Sequence, residues 1–393
     1  MKQKLIILNR WDDEFSKYDT YIDHTKYIVS YVSNQINFRI SEANKTIYVE
    51  DITDYNLVKN AVKECITDMN GVDKLIAMSE FDLEIAAKLR EDLEINGVTT
   101  EQVKLYRDKV AMKKALVLTK IKYPKFTEIN NYQDIVKFLT IHPLPIILKP
   151  RRGAASIGVI KISNQEELLK ISNMDFNDYE CEQFIHGDIL HVDGAVYESK
   201  LLFCIASKYI NTCLEFSDGN PLGSVMIDDF ELNKRIKDIS KEILDSISLL
   251  TGIFHLELIL NNNELYFLEI GARCGGGEIP FILNNEFKIN MFKVWVNLEL
   301  NEQLQDYNLN KNKITGFLMF PKPNLDTDLI ITNTQNLSKQ IKQITYERRP
   351  IIGTVINKDV PNEDPVGVYH FVGSSTEVVE AAINETISKF KLS

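Results

Sequence analysis

Residues 253–280 are the part of this 393-residue chain that most constrains its fold. Two short apolar runs, FHLELIL and ELYFLEI, are separated by an Asn-rich turn and followed by an arginine and three glycines. The pattern predicts a β-hairpin. If the hairpin turns about Asn263, paired residue numbers sum to 526, and Glu257 lies directly opposite Glu269. Directly opposed residues on one face have Cβ atoms only about 4.5–5.5 Å apart.

The two glutamates predict a cation site. Alternate strand residues share a face, so each glutamate is expected to lie beside its own strand neighbours: His255 and Ile259 for Glu257, and Phe267 and Leu265 for Glu269. Two carboxylates this close repel each other unless a proton or a cation lies between them. Mg²⁺ prefers carboxylates together with substrate phosphates. The alternative is an ordinary hairpin with solvent-facing glutamates. The apolar residues on both faces of the strands argue against this alternative, because they indicate a buried hairpin.

The hairpin leads into a segment suited to an anionic ligand. Arg273 presents a fixed positive fork that matches phosphate or carboxylate. Residues 275–277 are glycines, which allow the backbone to approach a ligand closely. Cys274 lies beside Arg273, and packing explains this thiol better than reactivity.

Composition narrows the class of protein. The hydrophobic content of 44% and the charged content of 26% are typical of a soluble globular chain with two to four domains. The net charge of −11 argues against broad binding to nucleic acid or anionic membranes. No apolar run approaches the ~20 residues that span a bilayer, and the first residues do not resemble a signal peptide. Five cysteines without a CxxC pair favour a reducing cytoplasm. The histidines show no ligand spacing, so no zinc site is predicted.

Strand and helix patterns alternate in the first 100 residues. Strands are predicted at KLIIL, YIVSYV, TIYVED and DKLIAM, with helices after Asp54 and after Ser79. This order predicts an open, mostly parallel α/β sheet that is Rossmann-like. The stretch contains no G-x-G-x-x-G, so we predict no dinucleotide site there.

A second candidate anion site follows the strand PIILKP. Lys149 closes that strand, and the small-residue loop RRGAASIGV comes next. Backbone N–H groups of such a loop can point at phosphate oxygens. A common β-turn beside an unrelated lysine explains the pattern equally well.

The sequence after this loop predicts a strand over 179–185, further strands up to residue 210 and an amphipathic helix over 231–250. Beyond residue 301 the chain is interpreted as an appended α+β lobe. Residues 211–224, 275–280 and the tail are expected to select substrate. Within them, residues 217–221 form either a lid or a plain surface loop, and Arg348 with Arg349 either bind a carboxylate or are solvated.

Four motifs in order resemble the ATP-grasp ligases, and among them the carboxylate–amine ligases that join amino acids into dipeptides. The motifs are RDK before a helix, PIILKP with its small-residue loop, CEQFI followed by Gly-Asp, and the paired-glutamate hairpin that ends in EIGARCGGG. The resemblance covers roughly residues 1–300. It implies an α/β and α+β protein with an ATP-grasp fold. The implied parts are a Rossmann-like domain over 1–105, a small lid subdomain over 106–190, a large subdomain over 191–300 and a C-terminal α+β lobe over 301–393.

The resemblance also implies roles for individual residues around ATP. Lys109 and Lys149 resemble the lysines that contact the phosphates, with Ser156 in the covering loop. Arg273 resembles the arginine near the transferred phosphoryl group, so Arg273 and Lys149 are the expected catalytic residues.

At the other end of the nucleotide, Glu182 resembles the acceptor for the adenine amino group. Phe184 or Ile185 would offer backbone hydrogen bonds to the ring. Asp188 matches the acidic residue that takes the ribose hydroxyls.

Glu257 and Glu269 match the magnesium ligands of the family, which implies two magnesium ions, with manganese as a substitute. Two departures matter. Many members have Asn two residues after the second glutamate, where this chain has Gly271. The phosphate loop has Ala154 and Ala155 where glycines are common.

The expected function is an ATP-dependent ligase that forms an amide through an acyl phosphate and releases ADP and phosphate. We expect a cytoplasmic enzyme that acts on small molecules, an amino acid and an amine, without nucleic-acid or membrane partners and with a homodimer as one arrangement. A biotin-carboxylase-type enzyme and a non-catalytic ATP-binding scaffold are the alternatives. Bicarbonate-dependent ADP release would favour the first, and ATP binding without ADP release the second.

Overall fold

The structure is a computed structural model, and it describes residues 2–12, 15, 17–302, 307, 313–323, 325–358 and 365–392. Within these ranges, no helix combines the length and the apolar character that crossing a bilayer requires.

The N-terminal residues form a parallel four-stranded sheet with the order β3-β2-β1-β4. Its strands are β1 (Gln3–Asn9), β2 (Tyr27–Ser33), β3 (Lys45–Tyr48) and β4 (Lys74–Ala77). The helices around it are α1 (Tyr18–Tyr21), α2 (Tyr55–Met69) and α3 (Leu83–Asp92), and a 3₁₀ turn over Glu80–Asp82 leads into α3. A strand buried on both faces needs a continuous apolar run, and residues 5–8 are fully buried. The predicted parallel α/β sheet is confirmed.

Two helices and a small antiparallel sheet follow. The helices α4 (Thr100–Arg107) and α5 (Lys109–Ala115) meet at Asp108, whose side chain accepts hydrogen bonds from the first backbone N–H groups of α5. The sheet has the order β5-β8-β6-β7. Its elements are β5 (Phe126–Ile129), α6 (Tyr132–Leu139), β6 (Ile146–Pro150), β7 (Ile160–Ile162), α7 (Gln165–Lys170) and β8 (Tyr179–Gln183).

The rest of the described chain is organised on one eight-stranded antiparallel sheet with the order β13-β12-β9-β10-β11-β14-β18-β16. Its strands are β9 (Asp188–Tyr197), β10 (Lys200–Ile210), β11 (Leu222–Met226), β12 (Gly252–Asn261), β13 (Glu264–Gly271), β14 (Ile314–Phe320), β16 (Ile344–Arg348) and β18 (Gly367–Gly373). A separate two-stranded ribbon joins β15 (Leu329–Ile330) to β17 (Val355–Ile356). The tail therefore continues the sheet built by residues 191–300.

The helices of this part are α8 (Cys213–Ser217), α9 (Phe230–Ser246), α10 (Ile279–Phe287), α11 (Met291–Leu300) and α12 (Thr376–Lys389). The amphipathic pattern predicts α9 correctly, and its apolar stripe packs on the core face of β12 and β13. The strand β11 and the helices α8 and α10 were not predicted. One proline, two glycines and several polar residues interrupt the apolar pattern over residues 211–226, so the sequence gives no clear strand or helix signal there.

The hairpin β12–β13 pairs Glu257 with Glu269, as predicted, but its turn and the register next to the turn differ from the prediction. Its turn is the two-residue loop Asn262–Asn263, where both residues have positive φ, as a type I′ turn requires. Close to the turn, paired numbers therefore sum to 525, as in Asn261 with Glu264. A β-bulge at Leu268 adds one residue and restores the predicted pairing at the glutamates.

The bulge also changes which residues share a face with Glu269. Leu265 and Phe267 lie in the same core cluster as Leu256 and Leu258, on the face opposite to Glu257. The prediction that Glu269 shares its face with Phe267 and Leu265 is therefore wrong. A one-residue insertion reverses the side-chain alternation, and sequence periodicity does not reveal it.

The turn gives a test of the hairpin. Asn262 has a φ of 46°, a conformation that costs a β-branched residue roughly 1–2 kcal/mol. We expect Asn262→Val to lower the free energy of unfolding by about that amount in urea denaturation. Asn262→Gly should be nearly neutral, because glycine adopts this conformation without a steric penalty. Equal destabilisation by both substitutions would contradict the assigned turn.

Candidate active site

A cavity of about 700 Å³ lies among the small sheet, the large sheet and the N-terminal α/β layer. All but one of the residues expected to bind ATP or the metal line it: Lys109, Lys149, Ser156, Glu182, Phe184, Ile185, Glu257, Glu269 and Arg273. The exception is Asp188, which is exposed at the start of β9 and does not belong to the wall. The fold thus collects side chains from residues 109 to 273 around one space.

The two glutamates face this cavity from neighbouring strands. Glu257 and Glu269 are both partly buried, with 16% and 27% of their side chains exposed. Burial would raise the pKa of Glu269, but the charges of Lys109 and Lys149 outweigh it and lower the pKa to about 2. Glu269 is therefore ionised at neutral pH.

Lys109 is held at the cavity by the junction between α4 and α5. Asp108 caps α5 and is paired with Arg151, which ties the helix start to the loop after β6. The Nζ of Lys109 donates to the carbonyl of Gly153 at 2.7 Å and lies 3.2 Å from Oε2 of Glu269. This lysine therefore links the small-residue loop to the glutamate hairpin.

Lys149 lies in a buried network of four charges. It is paired with Glu180 on β8 in the sheet register, and its Nζ lies 2.8 Å from Oε1 of Glu182. Lys113, fully buried on α5, contacts Glu180 at 2.6 Å and Glu182 at 2.9 Å. Burial opposes the charge of Lys149, but Glu182 and Glu180 dominate and raise its pKa, so Lys149 stays protonated. The sequence analysis missed Lys113 and Glu180.

This network defines where the side chain of Glu182 lies. Burial would raise its pKa, but Lys113 and Lys149 outweigh burial, so the pKa of Glu182 is lowered. The side chain of Glu182 is thus directed at two lysines, while the following residues Phe184 and Ile185 line the cavity.

The small-residue loop after β6 has a strained backbone that turns into the cavity. Ala155 and Ser156 both have positive φ, as does Gly158. A side chain at Gly158 would clash with the hydroxyl of Tyr179 and the ring of Pro150. Backbone in this conformation is found at ligand-binding loops, which favours the phosphate-cover interpretation over a simple turn.

Arg273 is anchored by the N-terminal layer. Its Nε donates to Glu80, and its Nη1 donates to the carbonyl of Cys274 at 2.7 Å. Glu80 also pairs with Arg107 of α4. Burial raises the pKa of Cys274, which agrees with a packed thiol. The sequence analysis missed Glu80, because nothing in its local pattern indicates a partner 193 residues away.

A buried hydrogen-bonded network lies beneath Glu257. Nδ1 of His255 lies 2.9 Å from Asp193, and Nδ1 of His191 lies 2.7 Å from the other oxygen of the same carboxylate. Nε2 of His191 contacts Ser224 at 2.6 Å, and Nε2 of His255 lies 3.6 Å from Glu257. The potential ligand atoms of the two histidines and Asp193 lie within 4.8 Å of one another, but these hydrogen bonds already account for their arrangement.

The glycine-rich segment packs on that network. A Cβ at Gly275 would lie 2.5 Å from Oδ1 of Asp193 and 3.0 Å from Nδ1 of His255. Only glycine therefore fits there. At Gly271 there is no side chain, so this position offers no third acidic or amide ligand. An added Cβ there would lie 3.1 Å from Cγ of Arg273.

All three segments expected to select substrate reach the cavity. Residues 212–214, 216, 217 and 222 line it, as do residues 275–277, 279 and 280. The tail contributes residues 317, 319, 321, 322 and 365. Residues 217–221, expected to be either a lid or a plain surface loop, begin at the last residue of α8 and turn through Gly219, whose φ is +96°. Arg348 and Arg349 lie outside the cavity wall.

His255 supplies a test by pH. Burial would lower its pKa, but Asp193 outweighs burial and raises it from 6.5 to about 9. The pairing of protonated His255 with Asp193 therefore stabilises the folded state fully below a pH of about 6.5. This stabilisation, on the order of 2–3 kcal/mol, is lost as the pH rises through 9. We expect the difference in melting temperature between the wild type and His255→Gln to narrow from pH 6 to pH 9.5.

The matched control is His186→Gln, because His186 is exposed outside the network. Its melting temperature should follow the wild type at every pH. A constant difference for His255→Gln would contradict a charged His255 beside Asp193.

Comparisons with known proteins show which proteins this chain resembles in sequence and in fold. Residues 106–277 match the family model of the ATP-grasp domain. The curated L-arginine-specific L-amino acid ligase of Bacillus subtilis is 25% identical over 290 residues, which cover 70% of this chain and 68% of the relative.

Solved structures share the fold along the whole chain. The L-amino acid ligase of Bacillus licheniformis superposes with a TM-score of 0.76 at 17% identity, covering 100% of this chain and 98% of that one. The biotin carboxylase domain of the Hydrogenobacter thermophilus 2-oxoglutarate carboxylase, solved with MgADP, ADP and bicarbonate, gives a TM-score of 0.66 at 12% identity, covering 100% of this chain and 91% of that one.

Proposed function

We propose that this chain, whose residues 106–277 match the ATP-grasp domain, is an ATP-grasp ligase that joins the carboxylate of an amino acid to an amine, using ATP and releasing ADP and phosphate. The observation that carries the proposal is one cavity lined by three basic side chains and two opposed carboxylates: Lys109, Lys149, Arg273, Glu257 and Glu269. Such a set suits a triphosphate with its metal, next to a carboxylate substrate.

ATP would lie between the small sheet and the hairpin. Lys109 and Lys149 would contact its phosphates, under the loop that contains Ser156. The backbone of Phe184 and Ile185 would meet the adenine ring, whose amino group we assign to Glu182. The engagement of Glu182 with Lys113 and Lys149 supports an additional role for this side chain in holding Lys149 toward the phosphates. Asp188 remains the proposed ribose residue, although it is exposed outside the cavity wall.

The hairpin fits a hard divalent cation. Glu257 and Glu269 are directly opposed and line the cavity, and Glu269 is kept ionised. Because Gly271 provides no third ligand, this donor set supports one ion better than two. Magnesium, when bound, would neutralise charge on the phosphates, and manganese is an acceptable substitute.

The chemistry requires an activated carboxylate, since oxide is a poor leaving group. Transfer of the γ-phosphoryl group of ATP gives an acyl phosphate, and attack by the amine then forms the amide and releases phosphate. Phosphoryl transfer depends mainly on positioning and on neutralising charge. Lys149 and Arg273 provide this charge, and Glu80 orients Arg273 through its Nε.

Two alternatives share the fold. A biotin-carboxylase-type enzyme would release ADP only with bicarbonate, and a non-catalytic scaffold would bind ATP without releasing ADP. A phosphate-release screen over pairs of amino acids and simple carboxylic acids, with mass spectrometry of the products, distinguishes all three. An amide product with stoichiometric phosphate supports the ligase, whereas bicarbonate-dependent release without an amide would exclude it.

The division into 1–105, 106–190, 191–300 and 301–393 remains a proposal. Because β14, β16 and β18 continue the sheet of β9–β13, we expect the last two parts to unfold together. A cytoplasmic location is proposed from the odd number of cysteines, all of which are free thiols. Dimer formation likewise remains a prediction.

Arg273 gives the first test of this function. We expect Arg273→Ala to retain ATP binding in isothermal titration but to lower phosphate release by on the order of 10²–10³, because a contact to transition-state charge is lost. Arg235→Ala is the control, since Arg235 lies on α9 outside the cavity. Near-normal turnover of Arg273→Ala would refute the assigned role.

The metal site is tested without turnover. We expect Glu269→Gln to weaken Mn²⁺ binding, measured by electron paramagnetic resonance, at least about tenfold, because one of two ionised ligands becomes neutral. Glu264→Gln is the matched control on the same strand, where Glu264 is exposed and pairs with Lys122. Unchanged Mn²⁺ affinity in Glu269→Gln would remove the hairpin from the metal site.

A further inference from the structure

One part of the cavity wall contains none of the residues proposed to bind the nucleotide or the metal. This part is aromatic. Trp11, Phe15, Phe292 and Trp295 all line the cavity. The rings of Trp11 and Phe15 lie 5.0 Å apart, and those of Phe15 and Phe292 lie 5.2 Å apart in an edge-to-face arrangement. A continuous aromatic surface therefore runs from the segment after β1 to helix α11. We call these four residues the aromatic wall.

Apolar residues from other elements complete this end of the cavity. The helix α10 contributes Ile279 and Pro280, and the strand β14 contributes Phe317 and Met319. Trp295 and Ile279 are buried in the same core cluster as Phe317 and Met319, which gives them a rigid backing. A pre-formed apolar surface of this kind suits an apolar group of a ligand.

The carboxylates near this end already have partners. Glu80 is shared between Arg107 and Arg273. Glu278, one residue before α10, pairs with His370 at 2.7 Å. Glu257 and Glu269 are the proposed metal ligands. Along the described cavity wall, no carboxylate is left to pair with a cationic side chain.

We propose that the aromatic wall receives the side chain of the amino-acid substrate and selects a bulky apolar one, of the leucine, methionine or phenylalanine class. The inference rests on the proposed ligase function and specifies its substrate. A guanidinium group placed against these rings would lose its hydration without gaining a carboxylate. The chain therefore differs in preference from its arginine-specific relative.

The experiment compares amino acids on the full-length wild type. Phosphate release is measured for all pairs drawn from leucine, methionine, phenylalanine, alanine, arginine and glutamate. Because an apolar pocket would desolvate the guanidinium without pairing it, we expect kcat/KM for leucine to exceed that for arginine by at least about a hundredfold. Equal or greater turnover with arginine or glutamate would overturn the proposal.

Introducing a negative charge into the aromatic wall gives a second test. Phe292 is half-buried at the cavity, and Phe292→Glu should lower kcat/KM for leucine at least about tenfold while raising that for arginine. Phe230→Glu is the matched control, because Phe230 is exposed at the start of α9 and outside the cavity. An unchanged preference for leucine in Phe292→Glu, with ATP binding intact, would overturn the assigned wall.

The failure of this inference can be told apart from the failure of the proposed function. Absence of phosphate release with every pair would count against the ligase. Isothermal titration of leucine and of arginine, in the presence of a non-hydrolysable ATP analogue, then tests the aromatic wall independently. Tighter binding of leucine supports it, and no leucine binding or tighter binding of arginine overturns it.

Discussion

Glu257 and Glu269 meet at the cavity because one extra residue in β13 changes the alternation of its side chains. Before the bulge, Leu265 and Phe267 point into the core shared with α9. After it, Glu269 points to the opposite side, toward Glu257. Without the bulge, the same strand would direct either its apolar residues or its carboxylate to the wrong face. The separation of core from chemistry in this hairpin therefore depends on a local irregularity.

The charged side chains around the cavity are paired with one another. Burying an isolated ion is costly, and several buried ions persist only when each has a partner. Lys113 and Lys149 share Glu180 and Glu182, while Lys109 lies against Glu269. Lys149 is thus kept protonated close to where phosphates would bind, because Glu182 and Glu180 raise its pKa. Lys113 has no place on the cavity wall, and its contacts position the other members of the network.

The cavity is assembled from every part of the chain. The N-terminal layer provides Glu80 and the first rings of the aromatic wall. The helix α5 provides Lys109, and the small sheet provides Lys149. The hairpin provides the acids, and the tail strand β14 completes the apolar end. Because the tail strands extend the large sheet, the end of the chain is joined to the glutamate hairpin β12–β13 through continuous backbone hydrogen bonding. The tail is consequently an integral part of the sheet that forms the cavity.

Much of this molecule follows from local sequence. Apolar runs and caps in residues 1–100 predicted the parallel layer, and the order of four short motifs pointed to the fold and to nine residues that line one cavity. These features depend on periodicity and spacing, which neighbouring residues determine. The bulge at Leu268, the pairing of Glu80 with Arg273 and the His191–Asp193–His255 network were decided only by tertiary structure. Each of these features depends on strand register or on packing between segments that are distant in the chain. A pattern among adjacent residues does not show which distant residue will contact them.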